Sequence, residues 1–157
     1  MPYFEDLKLG TKYETPGRTM TDGMASILVG IGGYAAEFFN NKEAADKTVA
    51  LKWRTIPGRI AFMLMGGLVE TYAPHMGEEL SDGNLVNVGC REYRSLAPLR
   101  VGDTVHLESE CVELTKTSNP FWGKCIDRER LINQKGEVVI QADIVHLYER
   151  RDKTTEK

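Results

Sequence analysis

The sequence predicts an α+β protein in which an antiparallel β-sheet wraps around a long central helix. Two patterns carry this. Residues 59–72 are apolar nearly all the way round, so a helix there must be covered on most sides. From Asn84 onward the chain changes to long segments of alternating character, separated by turn residues rather than by further helices. A third observation sets the scale. With 157 residues, 41% hydrophobic and 27% charged, the composition fits one globular core and excludes disorder.

Taken in order, Lys12 to Thr19 reads as an early strand. Thr21-Asp22 then offers a helix N-cap, and Met24, Ile27, Leu28, Ile31, Ala35 and Phe38 recur at helical spacing as one buried stripe. Gly30, Gly32 and Gly33 weaken that helix and predict a break near Gly32-Gly33. Asn40-Asn41 ends it, with a short exposed turn from Lys42 to Lys47. Pro57-Gly58 opens the second helix, Gly66-Gly67 predicts close packing against a backbone, and Pro74 stops it. Four strands follow: Leu85 to Leu96, a segment through Val105, Leu107 and Cys111, Phe121 to Ile132, and a segment through Val138, Ile140, Ala142 and Ile144. Residues 1–150 read as a single domain and 151–157 as a charged, frayed tail.

Composition also narrows function. Twenty basic residues against 23 acidic give a net charge of −3, and no basic stripe points to nucleic acid or an anionic membrane. No apolar run approaches the roughly 18–20 residues that span a bilayer. Met1 to Gly10 lacks the apolar core of a signal peptide, and Cys90, Cys111 and Cys125 are odd in number with no CxxC spacing. The expectation is a cytoplasmic protein with reduced thiols. His75, His106 and His146 are scattered, without metal-ligand spacing, so no metal site is expected; His146 continues the apolar face of Ile144 as a hydrogen-bonded core histidine. Gly30, Gly32 and Gly33 do not follow a strand and make no dinucleotide fingerprint.

Four stretches carry a resemblance. YFEDLKLGTKYETPGRTMT (Tyr3 to Thr21) contains an opening strand and a G-R-T-x-T entry to the first helix. Pro57-Gly58-Arg59-Ile60-Ala61 matches a G-R-I-A lead into the second, and YRSLAPLRVGDTVHLESECVE (Tyr93 to Glu113) looks like an F-x-x-P-V-x-x-G-D-T-L strand pair. NQKGEVVIQADIVHLYER (Asn133 to Arg150) fits a closing hairpin. In order and spacing the chain resembles the MaoC-like, R-specific enoyl-CoA hydratases. The resemblance implies a hot dog fold and an acyl-thioester substrate, with coenzyme A or a carrier as the substrate's thiol and no other cofactor.

The family's chemistry is another matter. Its acid–base pair lies in a D-x-N-P-x-H segment after the first helix. Counted from Gly17-Arg18-Thr19, the Asp position falls on Tyr34, the Asn on Ala36, the Pro on Glu37 and the His on Phe39. A family His-Gly after G-R-I-A is replaced by Phe62-Met63. Residues 30–47 contain no His, and their acids are Glu37, Glu43 and Asp46. Hydration of an enoyl thioester needs a base for water and a proton for the α-carbon. Phenylalanine supplies neither, and a tyrosine of pKa about 10 is a weak base. Backbone N–H groups at the central helix can still polarise a thioester carbonyl, with Met63 N–H in the matching position.

Tyr34 and Glu37 are therefore the candidate catalytic residues. Tyr34 is either a hydrogen-bond donor to the substrate or a half-buried aromatic. Glu37 is either a carboxylate desolvated beside Phe38, Phe39 and Phe62 or a solvated helix residue. Phe39, Phe62 and Met63 are candidate acyl-binding residues, the two rings either lining a hydrophobic site or filling a defunct one. Asn40 and Asn41 either orient the substrate or stop a helix. Glu70 is the lone acid on the apolar helix. Four functions fit: a hydratase or dehydratase with unusual acid–base groups; a non-catalytic acyl-binding subunit paired with a second hot dog chain that keeps the pair; a thioesterase using Glu37 or Glu70; and another lyase or isomerase. A homodimer or heterodimer is expected, because an open sheet leaves an edge unpaired.

Overall fold

The computed structural model describes residues 1–48, 52–72 and 83–153, with backbone alone at 70–72. Strands β1 (Lys12–Glu14), β2 (Arg18–Thr19), β4 (Leu85–Ser95), β6 (Thr104–Lys116), β7 (Trp122–Asn133) and β8 (Val138–Glu149) form one antiparallel sheet. Its order is β1-β6-β7-β8-β4, with β2 also on β6. Strands β3 (Thr55–Ile56) and β5 (Leu99–Arg100) make a small second sheet. The helices are α1 (Asp22–Ile31), α2 (Glu37–Asn40), α3 (Lys42–Lys47) and α4 (Gly58–Tyr72).

The early strand is broken where Pro16 lacks a donor. The Thr15 hydroxyl accepts from Leu107 N–H at 3.0 Å and carries the ladder across the gap. Thr21 caps α1 as expected, its side chain accepting from Met24 N–H. The helix ends before Gly33, whose φ of +65° requires a left-handed residue. Its buried residues are Ala25 and Val29, with Met24 and Leu28 partly covered, while Ile27 and Ile31 face solvent. The predicted stripe is thus rotated by about one residue, because the short helix packs on Met20 and α4 rather than continuing to Phe38.

One face of α4, made of Ile60, Ala61, Leu64, Met65 and Leu68, packs on Leu107, Leu131, Ile140, Ala142 and Ile144 of the sheet. Burial at this spacing, several side chains at about 1.5–3 kcal/mol each, drives the wrap. The opposite face is open: Met63 is 55% exposed, and a Cβ at Gly66 or Gly67 would meet nothing within 4 Å. The expected all-round cover and the glycine close approach are therefore not met within one chain. The sheet ends at β4, whose Val86, Val88 and Tyr93 are themselves exposed. The tail also departs from expectation. The Arg151 guanidinium donates twice to Asp6, at 3.0 and 2.8 Å, and lies over the Tyr3 ring, so 151–153 are held rather than frayed. Residues 154–157, Pro74 and His75 lie outside the described residues.

Candidate functional site

The candidate residues fall into two groups. The first is the loop after α1. Tyr34 packs edge-on against Phe39, ring centroids 5.7 Å apart, and Phe39 against Phe38 at 4.2 Å. Asn40 Nδ2 donates to the carbonyls of Tyr34 (2.8 Å) and Ala36 (3.1 Å). Asn41 Oδ1 accepts from the N–H groups of Glu43 and Ala44 and so caps α3, while its Nδ2 donates to Glu37 Oε1 at 3.1 Å. The two asparagines thus hold the loop's own backbone and its carboxylate. Glu37 is exposed, in the solvated arrangement rather than the desolvated one. Sequence reasoning missed Arg54. Its Nε donates to the Phe39 carbonyl (2.8 Å), Nη2 to Ser26 Oγ (2.9 Å) and Nη1 to Asp22, fastening the loop to α1.

The second group surrounds the start of α4. The Pro57 carbonyl accepts from Ile60 and Ala61 N–H, which leaves the Gly58 and Arg59 N–H groups as the open donors of the first turn. A Cβ at Gly58 would sit 3.2 Å from the Tyr93 hydroxyl and 3.5 Å from Ser95 Oγ, so glycine lets these two side chains approach the start of the helix. Phe62 packs edge-on against Tyr93 at 5.3 Å. Met63 lies on the second turn, where its N–H belongs to the helix ladder. The Glu70 side chain lies outside the described residues.

Along the flank of α4, where its open side meets the sheet, lies a slot of about 190 Å³. Phe62, Met63, Met65, Gly66 and Val69 form its helix wall; Asn87, Ile144, Glu129 and His146 come from the strands. The register explains the last two. Leu107, Leu131 and Ile140 lie side by side on the inner face; the next row is Ser109, Glu129 and Ala142, then Cys111, Asp127 and Ile144, then Cys125 and His146. Polar groups thus interrupt an apolar surface just beyond the middle of α4. Glu129 is 2% exposed, and burial, with the nearby charge of Asp127 second, pushes its carboxyl up to about 8. His146 Nδ1 lies 3.0 Å from Asp127 Oδ2. Ser109 Oγ is buried without a hydrogen-bond partner among the described residues. His146 is the hydrogen-bonded core histidine expected from its strand position, and it also reaches the slot.

Beyond His146 the chain of contacts continues. The Cys125 thiol lies 3.5 Å from Asp127 Oδ1 and 3.6 Å from Cys111 Sγ, beside a cavity of about 250 Å³ lined by Leu7, Tyr13 and Tyr148 among others. Burial pushes both thiols up, so they stay protonated and act as hydrogen-bonding S–H groups. The donor atoms of Cys111, Cys125 and Asp127 lie within 4.8 Å of one another, as do those of the more exposed Glu14, His106 and Glu108. The first set, two thiols and a carboxylate, continues through Asp127 to the His146 imidazole as a hydrogen-bonded chain. In the second, His106 lies 3.4 Å from Glu14.

No family model matches the chain. Solved structures share its architecture almost end to end. A monoamine oxidase regulatory protein from Archaeoglobus fulgidus superposes with a TM-score of 0.83 at 23% identity, covering 95% of each chain. A MaoC-like dehydratase from Rhodospirillum rubrum gives 0.77 at 23%, covering 96% of this chain and 99% of that one. The fold is therefore the hot dog fold of the MaoC-like dehydratases. Two further matches are a Mycobacterium tuberculosis protein with a double hotdog fold (TM-score 0.75, 17% identity) and the HadBC (3R-hydroxyacyl-ACP dehydratase) complex of the same organism (TM-score 0.70, 16% identity). In sequence, the chain is 28% identical over 140 residues to mesaconyl-CoA hydratase of Cereibacter sphaeroides, a match that covers 88% of this chain and 38% of that protein. The chain thus spans well under half the length of that relative. No helix among the described residues is long and apolar enough to cross a membrane.

Proposed function

We propose that the chain is an acyl-thioester hydratase/dehydratase-type protein with a divergent active site. The observation that carries this reading is the slot beside α4. Its walls at Phe62, Met63, Met65 and Val69 suit an acyl group, and Phe62 packs on the Tyr93 ring whose hydroxyl reaches the open start of the same helix. A thioester carbonyl placed there accepts from the Gly58 and Arg59 N–H groups, and the helix dipole favours the charge that develops on its oxygen. The thiol moiety, coenzyme A or a carrier arm, then lies outside the slot. Tyr34, Glu37 and Phe39, on the loop that Asn40 and Asn41 support, do not line this slot within one chain. The three free cysteines agree with a reducing, cytoplasmic setting.

The test is loss of conjugated absorbance when purified protein meets a panel of short and medium enoyl thioesters. Hydration supports the reading; release of free thiol instead identifies a thioesterase. Silence across the panel, together with no binding of a saturated acyl thioester, refutes both. A second reading is an acyl-binding subunit beside a catalytic hot dog chain. Tyr34 and Phe39, packed on each other at the family's acid–base positions, favour it, as do the exposed Met63, Val86, Val88 and Tyr93 along one open side. Co-purification with a second hot dog chain distinguishes the heterodimer from a homodimer.

A further inference from the structure

We infer that Glu129 and His146 are the proton-handling pair of this slot, in place of the pair missing from the loop after α1. The inference rests on the acyl-thioester reading above. It starts from position. Both side chains line the same cavity as Phe62 and Met63, although they come from β7 and β8, far from the loop in sequence. The Asp127 carboxylate 3.0 Å from Nδ1 fixes the imidazole. With Nδ1–H donated there, Nε2 holds the free lone pair, which is the state a base requires.

Glu129 supplies the complementary half. It is fully buried and stands directly across the strand pair from Ser109, whose hydroxyl has no partner among the described residues. A carboxyl in this setting is held protonated at neutral pH and can give a proton away. A core without chemistry to perform gains nothing from it, because an apolar residue of similar size would avoid the desolvation cost. The surrounding rows use apolar residues in just this way, at Leu107, Leu131, Ile140, Ala142 and Ile144.

The step balances. Water loses a proton to His146 Nε2 as its oxygen bonds to the β-carbon of the enoyl thioester. The C=C π pair shifts towards the carbonyl, and the α-carbon takes the proton of the Glu129 carboxyl. The imidazolium then returns a proton to the Glu129 carboxylate through water in the slot. The net change is one water added, giving a 3-hydroxyacyl thioester; the reverse is dehydration.

The experiment is steady-state hydration of a crotonyl thioester by wild type, Glu129→Gln, Glu129→Asp and His146→Asn. Binding of a saturated butyryl thioester and a circular dichroism spectrum are measured for each. Expected is a loss of kcat of about 100-fold or more for Glu129→Gln and His146→Asn, with KM and butyryl binding nearly unchanged, and partial recovery in Glu129→Asp. Wild-type rates in both variants, or a loss confined to KM, overturn the inference and leave the thioester reading standing. So does loss of activity concentrated at Tyr34→Phe and Glu37→Gln. Wild type that binds butyryl thioester without turnover overturns the inference in favour of the acyl-binding subunit. Wild type that neither binds nor reacts removes the thioester reading, and the inference with it.

Discussion

Replacing Glu129 by Gln should change how stability depends on pH, in a direction opposite to that of most carboxylates. An unfolded glutamate titrates near 4.5, whereas in the folded chain burial raises this one to about 8. Below pH 4.5 both states hold the proton and the group contributes no difference. Between 4.5 and 8 the unfolded state gives up its proton while the folded state keeps it. The folded state then binds more protons, and stability falls as pH rises, by about 1.36 kcal/mol per pH unit. Over the full interval the loss is about 5 kcal/mol, an upper figure because the surroundings rearrange as Glu129 ionises. Glutamine keeps the shape and cannot ionise. Urea unfolding of wild type and Glu129→Gln at half-unit steps from pH 5 to 9 isolates the term, since the other titrating groups largely cancel in the difference. The variant should gain on the wild type steadily, ending about 3–5 kcal/mol ahead near pH 8.5. Parallel profiles would refute the argument, because they would mean that Glu129 ionises alike in both states.

Arg54→Met should cost about 2–4 kcal/mol and lower the Tm by about 5–10 °C in differential scanning calorimetry, chiefly through the Phe39 carbonyl and Ser26. The ion pair to the 73%-exposed Asp22 adds little. Gly58→Val pushes into the Tyr93 hydroxyl and Ser95 at the start of α4, and should raise KM for a thioester about tenfold, read by initial rates. Val88→Glu, at a 51%-exposed position on β4, should shift the protein towards monomer in sedimentation velocity, while the fold, read by circular dichroism, stays unchanged.

Most of the architecture was legible because strong periodicities and specific end signals do not depend on tertiary partners. Thr21 capped its helix, Gly32-Gly33 ended it, and the four long strands lie within a few residues of their predicted bounds. What the pattern could not show was orientation. Ile27 and Ile31 satisfy a helical stripe as well as Ala25 and Val29 do, and only packing on Met20 and α4 selects the latter. The loop was located by counting, yet the roles of Asn40 and Asn41 depend on carbonyls several residues away in a bent chain. The polar rows on the sheet were hidden for a different reason. Glu129 and His146 are 17 positions apart, and that they line one cavity follows from the β7–β8 register, which the sequence alone leaves open. A hint was present in the alternation itself. Cys125, Asp127, Glu129 and Leu131 share one strand face, and Leu131 marks that face as the inner one.

The edge strand β4 slips register twice, between Asn87 and Gly89 and between Arg91 and Arg94, and Glu92 adopts a φ of +54°. An exposed strand of eleven residues would otherwise be a template for indiscriminate stacking. Here a straight incoming strand loses its hydrogen bonds at each offset, so end-to-end polymerisation stalls after a few residues. A neighbour whose own irregularities are spaced to match meets no such penalty. The same two offsets therefore restrict which strand can pair along the full length of that rim.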